Sequence, residues 1–494
     1  MKLLLKIAAF AVAAASVVCA FAGCAGKTGT DETEENTTVA ALPGSEEGGD
    51  VTEEINEDKL GKADFGGSEY VILSRKRTLY EYQSTDEDGD IVKSAVTKRN
   101  TDIEDRFNVK IVLVEEPGDW GDRDKFIARV EKGWSSGSKT YDLVSTHSAY
   151  AVNIGLKGFA YNMAALPDVD FTNKWWCPMY TENVTVDGAA YTAVGDIGYT
   201  LYEYMMCVFM NKTLAAKYIH DDIYATVRNG DWTYEKMLEI VLTVREDTNG
   251  NGTPDDGDVF GLAMSGHACR GAATYWDGKI TVKGDDGKHV MNISNEKYID
   301  IYSRLYSLVY DHKENVAFKN EGASNTPEFV NGHILFFPEK FLEASSMRDM
   351  ADEYGILPMP KYDSDQENYI SCSRDAMNAV AVMRNIDDPE MVGKVTEALC
   401  LYGRQLITPA YYETTLKFRY LSDPDAVYVL DLIRDTLTFD FAMTYTNAMG
   451  LVYSVLGDNI QSGNKDISSV LRSFMTTGKR YLSEIYKAYD KIKG

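Results

Sequence analysis

Residues 247–258 read DTNGNGTPDDGD, a run that alternates oxygen-bearing side chains with small residues. Asp247, Asn249, Asn251, the Thr253 carbonyl, Asp255 and Asp258 fall at the spacing of oxygen ligands in a calcium loop, and Gly252 falls at its sharp turn. The closing position usually carries a bidentate Glu. Asp258 is shorter and should weaken the grip. A helical pattern precedes the loop, but VFGL after it reads as a strand, so the helix pair that a calcium sensor opens is missing. Two readings stay open: a structural calcium staple between helix and strand, or a tight polar turn. No other cofactor is expected.

Elsewhere the parts of an enzyme are missing. The six histidines (147, 220, 267, 289, 312 and 333) show no HExxH or other metal spacing. There is no GxSxG elbow and no phosphate-cradling P-loop. No CxxC pair exists. Five cysteines follow Cys24, an odd number spread over a long chain, which is no disulfide framework; most are expected as small buried residues. Carboxylates are abundant, so a glycosidase-type pair remains as an alternative.

Candidate binding residues need elements to hold them. EYVILS (69–74), VKIVLV (109–114) and YDLVS (141–145) read as strands. Between them, Val92, Val96, Ile103 and Phe107, then Phe126, Val130 and Trp134, mark helix faces. Strand–helix–strand–helix–strand predicts a parallel sheet. No glycine fingerprint follows the first strand, which argues against a dinucleotide. Ligands of open parallel sheets bind beyond the carboxyl ends of the strands. That points to Tyr80 and Tyr82 after the first strand, to Ser145, His147 and Tyr150 after the third, and to the turn near Asp196. Further on, WTYEKMLEIVLTV (232–244) reads as an amphipathic helix capped by Thr233. VFGLAM, HILFFP and YGILPMP read as strands.

The chain opens MKLLLKIAAFAVAAASVVCAFAGC, a positive start and an apolar run that stops at small residues. This resembles the lipobox of bacterial lipoproteins, with Phe21 where Leu is commoner. The resemblance implies a leader over 1–24 and lipidation of Cys24. Residues 25–58 hold eleven acidic residues, one Lys and no aromatic residue. Such a segment buries too little apolar surface to order itself, so 25–62 is expected as an acidic linker. The remaining chain is too long for one core, so two lobes are expected. The formal net charge of −26 argues against a nucleic-acid partner.

Several stretches in order resemble a family: KRNTDIEDRFNVKI (98–111), YDLVSTHSAYAVNIGLKGFAYNMAALPDVDFTNKWW (141–176), GAAYTAVGD (188–196), FMNKTLAAKY (209–218), GDWTYEKM (230–237), VNGHILFF (330–337) and RDMADEYGILPMPKYDSDQENYIS (348–371). Together with the lipobox they resemble family 1 extracellular solute-binding proteins, the lipid-anchored receptors of ABC importers in Gram-positive bacteria. The resemblance implies an α/β, two-lobe, periplasmic-binding-protein-like fold of type II, hinged by two or three crossovers. Lobe I would comprise 63–204 with 355–405, and lobe II 205–354 with 406–494. YEYMMCVFMNK and the stretch just before YGILPMP would be crossovers. The expected partners are a small solute and the permease, with the membrane reached through the lipid anchor. The expected protein is a monomer on the extracellular face of the cytoplasmic membrane.

Family members mostly carry sugars and oligosaccharides, and a pyranose stacks its apolar face on Trp or Tyr. On this footing Trp276, in a Gly/Ala/Thr-rich stretch read as a loop, is the leading stacking candidate. Trp176, Asp196, Tyr204, Phe337, Glu339, Tyr411 and Tyr412 are further candidates, with Glu413 beside them. Trp134 is expected in the core, and Arg348 with Asp349 as a structural ion pair. A peptide or other non-sugar solute, and a secreted glycan-active enzyme, are the competing readings. A surface adhesin would need β-sandwich repeats, which the sequence lacks.

Overall fold

The computed structural model describes residues 60–83, 90–137, 139–412 and 424–493. The leader, Cys24, most of the acidic linker and Glu413 lie outside these residues. The described chain falls in one compact unit built on two sheets.

The first sheet holds β1 (Ser68–Arg75), β2 (Val109–Glu116), β3 (Leu143–His147) and β13 (Asn378–Val382), in the order β13-β3-β1-β2. β1 runs parallel to β2 and β3, and β13 closes the β3 edge antiparallel. Ile72 pairs with both Leu113 and Leu143, so apolar runs stack side by side. The helix Ile91–Phe107 buries Val92, Val96, Ile103 and Phe107, as the spacing predicted. Each such side chain contributes roughly 1.5–3 kcal/mol. The Asp90 carboxylate caps that helix by accepting from the Val92 and Lys93 N–H groups. Trp134 is only partly buried, stacked on Phe159 at 5.6 Å.

The second sheet holds β4 (Met206–Asn211), β5 (Arg245–Glu246), β6 (Val259–Ser265), β9 (Val316–Lys319), β10 (Ile334–Lys340) and β11 (Tyr354–Leu357). β6 runs parallel to β9 and β10, while β4 lies antiparallel between β10 and β11. Two small ladders complete the set: β7 (Thr281–Lys283) with β8 (His289–Met291), and β12 (Ser371–Cys372) with β14 (Leu437–Thr438). Thr233 caps the helix Tyr234–Val241 through its side chain, as expected.

The chain crosses between sheets just before β4 and again after β11. β11 belongs to the second sheet, so the return runs through 358–377 and not through the stretch before YGILPMP. The apolar YGIL run fits either sheet, and its partner β4 decides. The C-terminal helix Ser468–Lys493 touches both halves. Tyr489 stacks on Tyr191 at 5.1 Å, and the Tyr486 hydroxyl accepts from the His289 N–H at 2.6 Å. Among the described residues, no helix is long and apolar enough to cross a membrane. All five described cysteines are free and buried.

Candidate functional site

The carboxyl ends of the parallel strands in both sheets face one cavity of about 480 Å³. From the first sheet, Arg75 ends β1, Asp119 and Trp120 follow β2, and His147 ends β3. From the second, His267 and Arg270 open the helix Gly266–Tyr275 after β6, and Glu321 follows β9. The crossovers add Tyr204 and Arg374–Ala376, and the C-terminal region adds Leu451 and Asp458. A larger cavity of about 640 Å³ lies beside β7, β8 and β14, with Met179, Lys279, Lys283 and His289 in its wall. We assign the site to the smaller one, because it alone gathers strand ends from both sheets.

Trp120 is the outstanding surface. The residue is 39% exposed, although its ring touches Tyr150 and His147, each at 5.8 Å between centroids. The Arg123 guanidinium lies 4.9 Å from its centre. His147 is 4% exposed and stacks on Tyr150 at 4.5 Å, and among the described residues its Nδ1 has no hydrogen-bond partner. Burial, then Arg75 and Arg374, hold this imidazole well below its usual range, so it is neutral. Opposite, Leu451 is 39% exposed and held at φ 62°. A left-handed leucine is strained, and such strain concentrates at functional sites.

Four guanidinium groups (Arg75, Arg77, Arg270, Arg374) and four carboxylates (Asp119, Glu321, Asp375, Asp458) line the cavity. Arg270 reaches Glu321 at 2.6 Å and Asp458 at 2.7 Å. His267 sits 3.3 Å from Glu321, yet burial and Arg374, Arg270 and Lys340 push it down to about 3, so this contact is no ion pair at neutral pH. Arg75 is buried and donates to Asn378 Oδ1 and the Ala376 carbonyl. Burial raises the Asp375 carboxyl, opposed by Arg374, Arg270 and Arg75. An exposed indole beside neutral imidazole, guanidinium and carboxylate groups suits a polyhydroxylated ring, one face apolar and the edge hydrogen-bonding.

The residues expected from sequence scatter around this cavity. His147 and Tyr204 line it, and Tyr150 supports Trp120 from behind. Glu339 stands one layer back, 3.9 Å from Arg374 and engaged by Lys340. Ser145 and Tyr82 are buried, and Tyr80 donates to Glu203 at 2.5 Å. Asp196 is buried, accepting from Tyr202 and Thr408 with Arg404 at 3.5 Å. Trp175 and Trp176 both donate to the buried Glu397, at 2.9 and 2.8 Å. Tyr411 and Tyr412 pack against Tyr202. Phe337 belongs to the aromatic core around Phe209 and Phe329.

Trp276 is 1% exposed and donates to the Pro360 carbonyl at 3.1 Å. The stretch before it is a helix, Gly266–Tyr275, capped by Ser265, and not the loop its Gly/Ala/Thr content suggested. Small residues there let the helix pack closely: a Cβ on Gly266 would meet Gln461 at 2.6 Å. Sequence reasoning missed Trp120, Arg75, Arg270, Arg374 and Asp375. For Trp120 a signal existed, since GDWGD follows the second strand, where the carboxyl-end rule applies equally.

In the calcium-like loop, the Asp247 carboxylate accepts from the Gly250, Asn251 and Gly252 N–H groups. Gly250 and Gly252 take φ of 71° and 72°, which suits glycine. Asn249 and Asn251 both meet Asp255 Oδ2, at 2.8 and 2.7 Å. Asp258, the expected closing ligand, is instead buried against Arg245 at 3.0 Å. Among the described residues, no three His, Cys, Asp or Glu side chains form a metal cage. A cation here would draw on Asp247 and Asp255 with carboxamide and carbonyl oxygens, a donor set that fits calcium.

No protein-family model and no curated relative matches the sequence. Solved structures do match the fold. An ABC substrate-binding protein from Listeria monocytogenes in complex with cycloalternan aligns at TM-score 0.55 and 13% identity, over 84% of this chain and 99% of that one. A cyclo/maltodextrin-binding protein complexed with maltotetraose aligns at 0.54 and 12%, over 87% and 98%. An ABC transporter solute-binding protein from Thermotoga lettingae, bound with α-D-tagatose, aligns at 0.52 and 12%, over 86% and 100%. The chain therefore has the two-lobe α/β fold of these solute-binding proteins.

Proposed function

We propose that the chain is a solute receptor for an ABC importer, that its solute is a sugar or oligosaccharide, and that it acts by closing its lobes and performs no chemistry. The carrying observation is the cavity at the strand ends of both sheets, walled by the exposed Trp120. The aligned proteins were solved with saccharide ligands, which supports the same reading. Ligand that contacts both lobes binds the closed state better and so favours it. The closed shape is what a permease would read.

In this reading Cys24 carries the lipid that holds the receptor on the outer face of the cytoplasmic membrane. Palmitate labelling in a Gram-positive host tests that, with loss of label expected in Cys24→Ala. The loop at 247–258 acts as a calcium staple joining the helix Tyr234–Val241 to β6.

A thermal-shift screen against mono- and oligosaccharides, peptides and polyamines tests the function. At one hundred times its dissociation constant a ligand adds about 2.7 kcal/mol of stability, enough to raise Tm by a few degrees. Shifts with peptides or polyamines and none with sugars would overturn the saccharide reading. Release of cleaved product from a bound glycan would point to the enzyme alternative.

A further inference from the structure

We propose that Leu451 is a specificity-determining residue of the cleft. Its side chain covers the face of a pyranose ring that Trp120 leaves open, so the preferred ring carries only equatorial substituents, as in β-linked glucose. The proposal rests on the saccharide reading above and narrows it.

The guanidinium groups and carboxylates of the wall match in number, so the wall selects for no sign of charge. Discrimination falls to hydrogen bonds and to apolar surface. Of the large apolar side chains exposed among the described residues, Trp120 and Leu451 line this cavity, each 39% exposed. The rest of its wall is charged, polar or small, apart from Tyr204, which is 4% exposed.

The two apolar surfaces stand on different halves. Trp120 follows β2 of the first sheet. Leu451 precedes the turn Val452–Ser454 and the helix Val455–Gln461. That helix is fixed to the second half: Asp458 holds Arg270 at 2.7 Å, and a Cβ on Gly457 would clash with the Gly266 carbonyl. A solute held between the halves therefore meets Trp120 from one side and Leu451 from the other.

The backbone at Leu451 argues that the side chain serves the solute more than the fold. Gly450 and Leu451 are both left-handed, at φ 65° and 62°. Glycine takes that conformation freely, whereas a leucine is strained there. The conformation is fixed by the backbone itself. The Leu451 N–H donates to the Thr446 carbonyl at 2.8 Å, and its carbonyl accepts from the Ser454 N–H at 2.9 Å. Glycine at 451 would keep both bonds and remove the strain. A side chain left 39% exposed recovers only part of what burial of a leucine contributes. Ligand that covers it supplies the remainder.

A pyranose with all substituents equatorial presents C–H groups on both ring faces. An axial hydroxyl, at C2 in mannose or at C4 in galactose, projects from one face. Between two apolar surfaces that hydroxyl loses water and gains no partner, which is costly.

Isothermal titration tests the ring preference with gluco-, galacto- and manno-configured ligands, each as the monosaccharide and as the β-1,4-linked di- and trisaccharide. The best gluco ligand should bind roughly tenfold tighter, or more, than its galacto and manno counterparts. An α-linked glucan, a galacto- or manno-configured ligand or a non-pyranose sugar binding as tightly would overturn the inference and leave the saccharide receptor standing. Two variants separate ligand contact from folding. Leu451→Gly should weaken the preferred ligand roughly tenfold, while its urea midpoint stays level or rises, since glycine suits the left-handed backbone. Leu451→Met restores apolar cover and should bind within about threefold of the parent. Unchanged affinity in Leu451→Gly, or no recovery in Leu451→Met, would overturn the contact. A urea midpoint that falls along with affinity in Leu451→Gly would mean that Leu451 holds the turn, and would overturn it too. Binding of no saccharide by the parent would remove the inference and the reading beneath it.

Discussion

Glu203 couples the stability of the protein to pH in a way that can be worked through. It ends the short helix Thr200–Glu203, just before the first crossover. The residue is 7% exposed, and its side chain accepts a hydrogen bond from Tyr80 at 2.5 Å. Burial raises its carboxyl from 4.5 to about 8, the Tyr80 bond opposes the rise, and Glu81 adds to it. A carboxyl whose folded pKa exceeds its unfolded value favours folding most when protonated in both states, below about pH 4.5. That contribution is lost as pH rises through the folded pKa. The slope approaches 1.36 kcal/mol per pH unit between the two values. From pH 5 to pH 8 the loss amounts to about 3 kcal/mol. Glu203→Gln keeps an acceptor for Tyr80 and removes the titration. Urea denaturation of both proteins at pH 5, 6.5 and 8 reads the effect. The stability of Glu203→Gln relative to the parent should rise by about 3 kcal/mol over that range. Parallel stability curves would show that the carboxyl ionises normally and that the argument from burial is wrong.

Other outcomes follow from the same structure. Trp120→Ala should weaken binding of the preferred saccharide by about thirtyfold, equivalent to about 2 kcal/mol. Because the residue is 39% exposed, loss of its ring should change the urea midpoint little, and a comparable loss of folding stability would mean that Trp120 is a core residue. Glu397→Ala strands the indole N–H groups of Trp175 and Trp176 and the Asn173 amide. It should cost about 3 kcal/mol or more in urea unfolding, and a neutral result would mean these donors find water. Millimolar calcium should raise Tm relative to EDTA in the parent and not in Asp247→Ala. Identical melts for all four conditions would leave the loop as a polar turn.

The fold was legible where hydrophobic pattern and caps agreed. The β1, β2 and β3 runs, the Ile91–Phe107 face and the Thr233 cap all stand near their sequence positions, because each is set by local periodicity. The helix before Trp276 was not legible. Its Gly and Thr residues lower helix propensity and mask the helix-forming alanines among them, and close packing against the Gln461 region fixes it instead. β11 was assigned to the wrong side of a crossover because strand pairing is a long-range choice. The cleft was half legible. His147 and Tyr204 came from the carboxyl-end rule and from the crossover. Arg374 and Asp375 lie in SCSRDAM, which carries no pattern, and only the return from β11 to β13 brings them beside Arg75. Most of the aromatic candidates turned out to be buried, since a long chain rich in Tyr uses rings to fill its two cores.

The central claim is that two hinged halves close on a solute. The described native cysteines are buried, so spin labels can be directed to Ile91→Cys in the first half and Ile299→Cys in the second, both exposed positions. Pulsed dipolar spectroscopy with and without a saturating saccharide then reports the distance between halves. The account predicts a shift to a shorter, narrower distribution when ligand is bound. A distribution unchanged by a ligand that calorimetry shows to be bound would contradict it.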